Sequence, residues 1–190
     1  MVGKVISAIT AATILAFPSL GYAQNITKAD AAINHFSNFQ LDAKNIANMH
    51  FVKQGGNDAG TLINFVDSRA DINGIVNAVR NGEIGGNLYF ISSKGIAVGS
   101  EGVINAGKIG LIAPTDSYYQ NLIDNKGNLS ADNFSAEKLK NGEIPLNVTG
   151  TVSVAGKLNA TDGINLAAAT QTAKINRQTP PKIEITMAAR

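Results

Sequence analysis

The acidic and basic side chains of residues 67–71, which read DSRAD, have a spacing that could support catalysis. Alternate side chains of a β-strand point to one face, so Asp67, Arg69 and Asp71 would lie side by side. Two carboxylates beside a cation could supply the acid and base of a polysaccharide lyase or hydrolase. The simpler interpretation, which we prefer, is an ion-paired turn between two short strands.

Other reactive groups in the chain have spacings that argue against an active site. His35 and His50 are separated too widely for a helical metal-binding pair. Ser92, Ser93 and Lys94 resemble a serine–lysine pair, but adjacent residues on a turn rarely face one another. No Gly-x-Gly-x-x-Gly word is present. We therefore predict no catalytic residues, no metal site and no cofactor.

The composition restricts the class of protein further. The chain has 190 residues, of which 16% are charged, and its formal net charge is +2. Lysine and arginine are dispersed, so no basic patch indicates nucleic acid as a partner. The absence of cysteine excludes disulfide bonds and cysteine-bound zinc. The length suits one domain preceded by a targeting segment.

The N-terminus has the pattern of a secretory signal peptide over residues 1–23. Lys4 provides a positive charge, and an apolar run over 5–17 follows it. That run is shorter than the roughly 20 residues that a membrane-spanning helix needs. Small residues near Ala23 predict cleavage between Ala23 and Gln24. We therefore expect export from the cytoplasm of a Gram-negative-type bacterium.

The spacing of apolar runs divides the mature chain into segments. Residues 24–60 are mixed and are predicted to form an N-terminal cap. In 61–169, apolar runs of a few residues end at glycine, asparagine or serine, which favours short stacked strands in a solenoid. Residues 114–144 are polar and are predicted to be an insertion that projects from the strands. Residues 170–190 are predicted to be a tail or the start of a continuation.

Repeated words and abundant asparagine support stacked strands. Asn-Gly-Glu-Ile occurs at 81–84 and again at 141–144, and similar Ile-Asn words recur elsewhere. Equivalent asparagines on neighbouring coils can stack and satisfy one another's amide groups. The candidates for such a ladder are Asn64, Asn73, Asn77, Asn87, Asn105, Asn147 and Asn165.

Two long segments carry a resemblance to a known family. AINHFSNFQLDAKNIANMHF at 32–51 and LINFVDSRADINGIVNAVRNGEIGGNLYFISSKGIAVGSEGVINAGKIGLIAPT at 62–115 resemble the two-partner secretion domain of filamentous haemagglutinin-type adhesins. The order of words is most similar to the leukotoxin-like filamentous adhesins. One departure is Ser-Ser-Lys-Gly at 92–95, where many family members carry Asn-Pro-Asn-Gly.

This resemblance implies an all-β fold, a right-handed single-stranded parallel β-helix. It also implies a partner, an outer-membrane β-barrel transporter with periplasmic docking domains that exports the domain and lets it nucleate folding of the repeats that follow. Those downstream repeats would contact a host surface. The turn residues expected to be recognised by the transporter are Asn73, Gly74, Ser92, Ser93, Lys94, Gly95 and Asn105.

Three functions are therefore open at this point. The first is a non-enzymatic secretion domain of an adhesin, located at the cell surface after passage through the periplasm. The second is a small β-helical polysaccharide lyase or hydrolase that uses Asp67 and Asp71. The third is a structural surface module that needs no transporter. Catalytic carboxylates should lie together in an exposed groove, about 5–9.5 Å apart, whereas an acid paired with a cation at a corner argues against the enzyme.

Overall fold

The computed structural model describes residues 12–14, 31–51, 59–122, 144–146, 150–173 and 183–186. This part of the chain is almost entirely β-strand, with one short α-helix. The strands are β1 (Ala12–Ile14), β2 (Ala31–Phe36), β3 (Phe39–Leu41), β4 (Ile46–His50), β5 (Thr61–Val66), β6 (Ala70–Ile72), β7 (Ile75–Arg80), β8 (Glu83–Ile84), β9 (Asn87–Ile91), β10 (Ile96–Val98), β11 (Val103–Ile112), β12 (Thr151–Val154), β13 (Lys157–Ala167), β14 (Thr170–Ala173) and β15 (Ile183–Thr186), and the helix is α1 (Asp116–Leu122).

The strands pair mainly in parallel, as a chain of short apolar runs separated by turns would require. Within the described ranges, the antiparallel contacts are the β7–β8 hairpin and an isolated bridge between Pro114 and Leu146. Parallel strands need connections longer than a hairpin turn, so chain neighbours do not pair directly. The predicted all-β class is confirmed at this level: the fold is mostly parallel β-sheet with little helix.

The parallel strands form three arrays, each a row of neighbouring strands. The first array contains β2, β5, β9, residues 108–112 of β11, residues 163–167 of β13, and β15. The second contains β3, β6, β10, β12 and β14. The third contains β1, β4, β7, residues 103–105 of β11 and residues 157–160 of β13. From β2 to β14, apart from the hairpin strand β8, the chain contributes strands to the first, second and third arrays in turn, and β15 joins the first array.

Two long strands, β11 and β13, pass from the third array to the first: residues 103–105 of β11 pair with β7 and residues 108–112 with β9, and β13 follows β11 along both parts. The pairing of β11 with β13 shifts between Ala106 and Lys108. A side chain at Gly107, which lies at this shift, would come within 2.9 Å of the Gly86 carbonyl oxygen. A residue without a Cβ atom therefore allows the strand to bend where the backbone of Gly86 comes close.

One face of each array is directed at a common apolar core. Alternation of buried and less buried residues, as in Phe39–Leu41, places every second side chain on that face. The main cluster joins residues of the first array (Leu62, Leu88), the second (Leu41, Ile72, Val98) and the third (Ala47, Val76, Ile104). The three arrays are therefore held together by one shared core.

The outer face of the first array is also buried, because helix α1 lies on it. Tyr119 and Leu122 of the helix pack in a second cluster with Phe65 of β5 and Ile112 of β11. Strand β5 accordingly has apolar side chains on both faces, as a strand covered on both sides requires. The described start of the predicted insertion thus packs against the sheet and does not project from it.

Other predicted boundaries fall on paired strands or outside the described residues. Residues 31–50, predicted as a cap, supply β2, β3 and β4 to the same three arrays. Ala12–Ile14, inside the predicted signal peptide, pairs in parallel with β4. The predicted cleavage residues Ala23 and Gln24 lie outside the described residues. No helix in the described part of the chain is long and apolar enough to span a membrane.

Candidate functional site

A continuous ladder of asparagine side chains runs across the outer face of the third array. Asn77 donates from Nδ2 to Oδ1 of Asn48 at 2.9 Å, Asn105 donates to Asn77 at 2.8 Å, and Asn159 donates to Asn105 at 2.7 Å. All three bonds run in the same direction. Stacked amides satisfy one another's donors and acceptors, so the ladder fixes which residues lie opposite one another.

The ladder arises from a four-residue word that opens β4, β7, β11 and β13 in the third array. Asn45–Asn48 reads NIAN, Gly74–Asn77 reads GIVN, Gly102–Asn105 reads GVIN and Gly156–Asn159 reads GKLN. In each word the third residue points to the core and the fourth points outward. Sequence reasoning selected Asn77 and Asn105 but missed Asn48 and Asn159, although this shared word was available to find them.

A second asparagine contact lies inside the first array. Asn34 donates from Nδ2 to Oδ1 of Asn64 at 2.8 Å, and Asn64 donates to the Tyr89 carbonyl oxygen at 3.1 Å. Asn64 is completely buried. Buried amides are costly unless bonded, so these contacts compensate for burial of two polar side chains within an apolar face.

The other asparagines predicted for a ladder have different surroundings. Asn87 donates to the Thr61 hydroxyl oxygen at 3.2 Å, and exposed Asn73 lies over Gly99, where a Cβ would overlap its side-chain oxygen. Asn165 is buried, and its Oδ1 atom has no hydrogen-bond partner among the described residues. Asn147 lies outside the described residues. Asn73, Asn87 and Asn165 therefore do not extend the ladder seen at Asn77.

A column of glycines forms the corner between the second and third arrays. Gly74 donates to the Leu41 carbonyl oxygen at 3.0 Å, and its own carbonyl oxygen accepts from Val103 at 3.0 Å. Cβ atoms at Gly102 and Gly156 would overlap the carbonyl oxygens of Ile72 and Gly102, respectively. The close stacking of this corner therefore depends on residues that lack a side chain.

The corner between β9 and β10 contains the Ser-Ser-Lys-Gly turn. The Ser92 hydroxyl donates to the Ser68 carbonyl oxygen at 2.6 Å and accepts from the Lys94 backbone amide at 3.1 Å. Gly95 has a φ of 98° and packs against Thr151 of the next strand in the second array. Ser92 and Ser93 are both buried, so their side chains stabilise the corner and do not form an outer surface.

Lys94 of this turn connects the corner to helix α1. Its ammonium nitrogen lies 2.8 Å from Oδ1 and 2.9 Å from Oδ2 of Asp116, the first residue of the helix. The hydrogen bond from Lys94, with a smaller contribution from Ser93, holds the pKa of the Asp116 carboxyl below its ordinary value. Both charged side chains are more than half exposed, so water weakens this pair.

The two acids considered for catalysis are each engaged by a different partner. Asp67 accepts from the Tyr119 hydroxyl at 3.0 Å, and its Oδ1 lies 2.7 Å from Nε2 of His35. Asp71 pairs with Arg69 at 2.7 Å. Burial of Tyr119, together with the nearby Asp67 charge, raises the pKa of its hydroxyl well above the ordinary range. Through the contacts with Tyr119 and His35, Asp67 links helix α1 to the ends of β2 and β5.

This arrangement differs in detail from the predicted ion-paired turn. Arg69 bridges to Asp71 as that interpretation requires, whereas Asp67 turns to His35 and Tyr119. Sequence reasoning missed the last two contacts because the partners lie 32 and 52 residues away. No group of three or more histidine, cysteine, aspartate or glutamate side chains suited to a metal ion occurs among the described residues.

Of the seven residues expected to contact a transporter, few reach the surface of the folded chain. Asn73 and Lys94 are exposed, and Asn105 is half-buried within the amide ladder. Gly74, Ser92, Ser93 and Gly95 are buried. No family model, curated protein or solved structure matches the chain.

Proposed function

We propose that this chain is a non-enzymatic secretion domain of the filamentous haemagglutinin type. In this proposal residues 1–23 direct the chain to the periplasm and are removed. An outer-membrane β-barrel transporter then recognises the mature part and exports it to the cell surface. The mature part folds outside as a right-handed, single-stranded parallel β-helix and provides the first coils on which further repeats stack.

One observation carries the proposal: from β2 to β14, apart from the hairpin strand β8, consecutive chain segments add a strand to each of three parallel arrays in a fixed order. This order is what a chain that winds repeatedly around one core would produce. The in-register bonds from Asn77 to Asn48 and from Asn105 to Asn77 support the same winding, because they link successive passes of the chain. A solenoid can lengthen from an ordered end, which suits a domain that starts the folding of repeats.

The surroundings of the acids give the enzymatic alternative little support. Asp67 is bonded to a histidine and a buried tyrosine, while Asp71 is paired with an arginine. A general acid needs a proton at working pH and a position beside substrate. Both acids instead have contacts that hold a strand corner or helix α1, which is a structural role.

The exposure of the turn residues suggests two ways in which a transporter could recognise the chain. If the transporter binds the folded domain, its contacts at these turns are limited to Asn73, Lys94 and part of Asn105. If it binds the chain before folding, the buried Ser92 is equally accessible. We propose the second mode, because four of the seven turn residues are buried after folding.

The proposal is tested by export of the full chain from a bacterium that has no related transporter. Chain should accumulate outside the cell when a candidate transporter is co-expressed, and should remain in the periplasm otherwise. A transporter whose barrel is blocked serves as the control for leakage. Equal export with and without the transporter would exclude this function and favour a surface module that needs no transporter.

A pair of variants separates the two modes of recognition. Ser92→Thr alters a buried turn residue and keeps the hydroxyl, whereas Lys94→Ala removes an exposed charge. Recognition of the unfolded chain predicts that either change can reduce export, measured as the ratio of external to periplasmic chain. If Lys94→Ala alone reduces export while both variants fold normally in vitro, the transporter recognises the folded surface.

A further inference from the structure

Two Asn-Gly dipeptides in the described part of the chain have opposite surroundings. One is Asn73-Gly74, at the corner between β6 and β7, and the other is Asn81-Gly82, at the tip of the β7–β8 hairpin. The second belongs to the repeated Asn-Gly-Glu-Ile word, which the proposed function does not use. Asn-Gly is the dipeptide most prone to spontaneous deamidation. The surroundings of each dipeptide therefore affect how fast it reacts.

The rearrangement requires the glycine backbone nitrogen to attack Cγ of the asparagine side chain. A nitrogen–carbon bond forms, the Cγ–Nδ2 bond breaks, and the side-chain nitrogen leaves as ammonia with the proton of the glycine amide. Water then opens the resulting succinimide ring at either carbonyl, giving aspartate or isoaspartate. Glycine favours the attack because it has no Cβ to obstruct the backbone rotation that closes the ring.

At the corner, a hydrogen bond holds the attacking nitrogen, which is the Gly74 amide. The Gly74 amide donates to the Leu41 carbonyl oxygen at 3.0 Å, and the Asn73 amide donates to the same oxygen at 2.7 Å. Gly74 is buried, and a Cβ there would lie 2.6 Å from the Asp42 carbonyl oxygen. Ring closure would have to break the Gly74 bond and rotate the backbone into a space that is already filled.

At the hairpin tip, the attacking nitrogen is accessible. Gly82 is exposed, and among the described residues no atom lies within 4 Å of the position that a Cβ would occupy and none accepts a hydrogen bond from its amide. Asn81 and Gly82 have φ angles of 53° and 82°, the left-handed pair that a two-residue hairpin turn uses. Both residues of this tip are exposed, whereas Gly74 at the corner is buried and hydrogen-bonded.

We propose that Asn81 is a site of spontaneous deamidation in the folded protein and that the fold protects Asn73. Isoaspartate would add one carbon to the backbone of the two-residue turn. The pairing of Val79 with Ile84 in the hairpin depends on the length of that turn. It would also place a carboxylate beside Glu83. The modification therefore opens the β7–β8 hairpin and leaves the corner at Gly74 intact.

The test is to incubate the folded full chain at mildly alkaline pH, digest it with trypsin and measure deamidation by mass spectrometry. Trypsin cleaves after Arg69, Arg80 and Lys94, so the two dipeptides fall in separate peptides, 70–80 and 81–94. We expect Asn81 to convert at least about tenfold faster than Asn73, because reaction at Asn73 needs a local opening of the structure. Fragmentation spectra locate the modified residue within each peptide.

The same chain unfolded in urea provides the control. There the two dipeptides should react at similar rates, because both are Asn-Gly and the fold no longer distinguishes them. Asn81→Gln should remove the fast reaction from peptide 81–94 and leave peptide 70–80 unchanged. A ratio of rates in the folded chain equal to the ratio in urea would overturn the proposal, as would faster reaction at Asn73.

Discussion

Asn105 donates a hydrogen bond from Nδ2 to Oδ1 of Asn77 at 2.8 Å, although 28 residues separate them in the chain. The bond from Asn77 to Asn48 spans 29 residues and that from Asn159 to Asn105 spans 54. The connecting lengths differ, yet the same side chain lies at the same place in each strand. A slip of one residue would turn these amides into the core, so the ladder and the core select the same register.

Replacing Asn77 by alanine should destabilise the folded chain more than replacing Asn159. Asn77 lies inside the ladder and loses two amide bonds, while Asn159 is exposed at its end and loses one. At about 1 kcal/mol for a hydrogen bond, we expect the free energy of unfolding to fall by about 2 kcal/mol for Asn77→Ala. Urea unfolding curves would measure this, and equal losses for both variants would contradict the role of the ladder.

The glycine corner provides a second test, with a matched control in the same chain. Alanine at Gly102 would place Cβ against the Ile72 carbonyl oxygen and 2.9 Å from Cγ1 of Val98, so the corner must move. Overpacking of this kind costs typically about 1–3 kcal/mol in the free energy of unfolding. Alanine at Gly85 meets no atom within 4 Å and should change stability by less than about 0.5 kcal/mol. Thermal unfolding of the two variants should separate them clearly; similar stabilities would show that the corner can relax.

The strands and their parallel pairing were largely predictable, because apolar runs and turn residues alternate at a scale that suits short strands. One of the recurring Ile-Asn words, at 104–105, lies near the start of β11. The exact repeat was harder to find because the corner before β7 has two residues, Asn73 and Gly74, whereas the corner before β11 has four, Gly99–Gly102. Because the corners differ in length, the strands do not recur at a constant spacing in the sequence, and their recurrence is seen only in the strand pairing.

The contacts of helix α1 could not be predicted, because they join residues that are distant in the chain. Asp67 has Arg69 as its near neighbour in sequence, and pairing them was the simplest expectation. In the fold, the end of β5 instead lies beside the end of β2 and beneath α1, which brings His35 and Tyr119 to Asp67. Tertiary packing therefore overrides the local charge pattern.

Tyr119→Phe should change how stability depends on alkaline pH. Burial and the Asp67 charge raise the pKa of the Tyr119 hydroxyl in the folded chain, so the unfolded chain releases this proton first. The contribution of this raised pKa to the free energy of unfolding is complete below the ordinary tyrosine pKa of about 10 and is lost as pH rises above it. We expect the free energy of unfolding to fall with pH above about 10 in the natural chain and more weakly in Tyr119→Phe, as measured by urea unfolding at several pH values.

The neighbouring tyrosine provides the comparison for that experiment. The pKa of Tyr118 is raised by burial alone, so Tyr118→Phe should remove a smaller part of the alkaline slope. At neutral pH, Tyr119→Phe should cost about 1 kcal/mol through loss of the hydrogen bond to Asp67. If the two variants had the same alkaline slope, the contact between Tyr119 and Asp67 would not determine the pH dependence.

Asp116→Asn should change the acid limb of the same stability profile. The hydrogen bond from Lys94, followed by that from Ser93, lowers the pKa of the Asp116 carboxyl in the folded chain. Because the pKa is lowered in the folded chain, the unfolded chain takes up the proton first. The contribution of Asp116 to the free energy of unfolding is therefore present above the ordinary aspartate pKa of about 3.9 and is lost as pH falls below it. The variant should lose stability at neutral pH and show a shallower decline in acid. Lys94→Met removes the main cause and should produce the same shallower decline, whereas an unchanged acid slope in both variants would mean that this ion pair does not help to hold the start of helix α1.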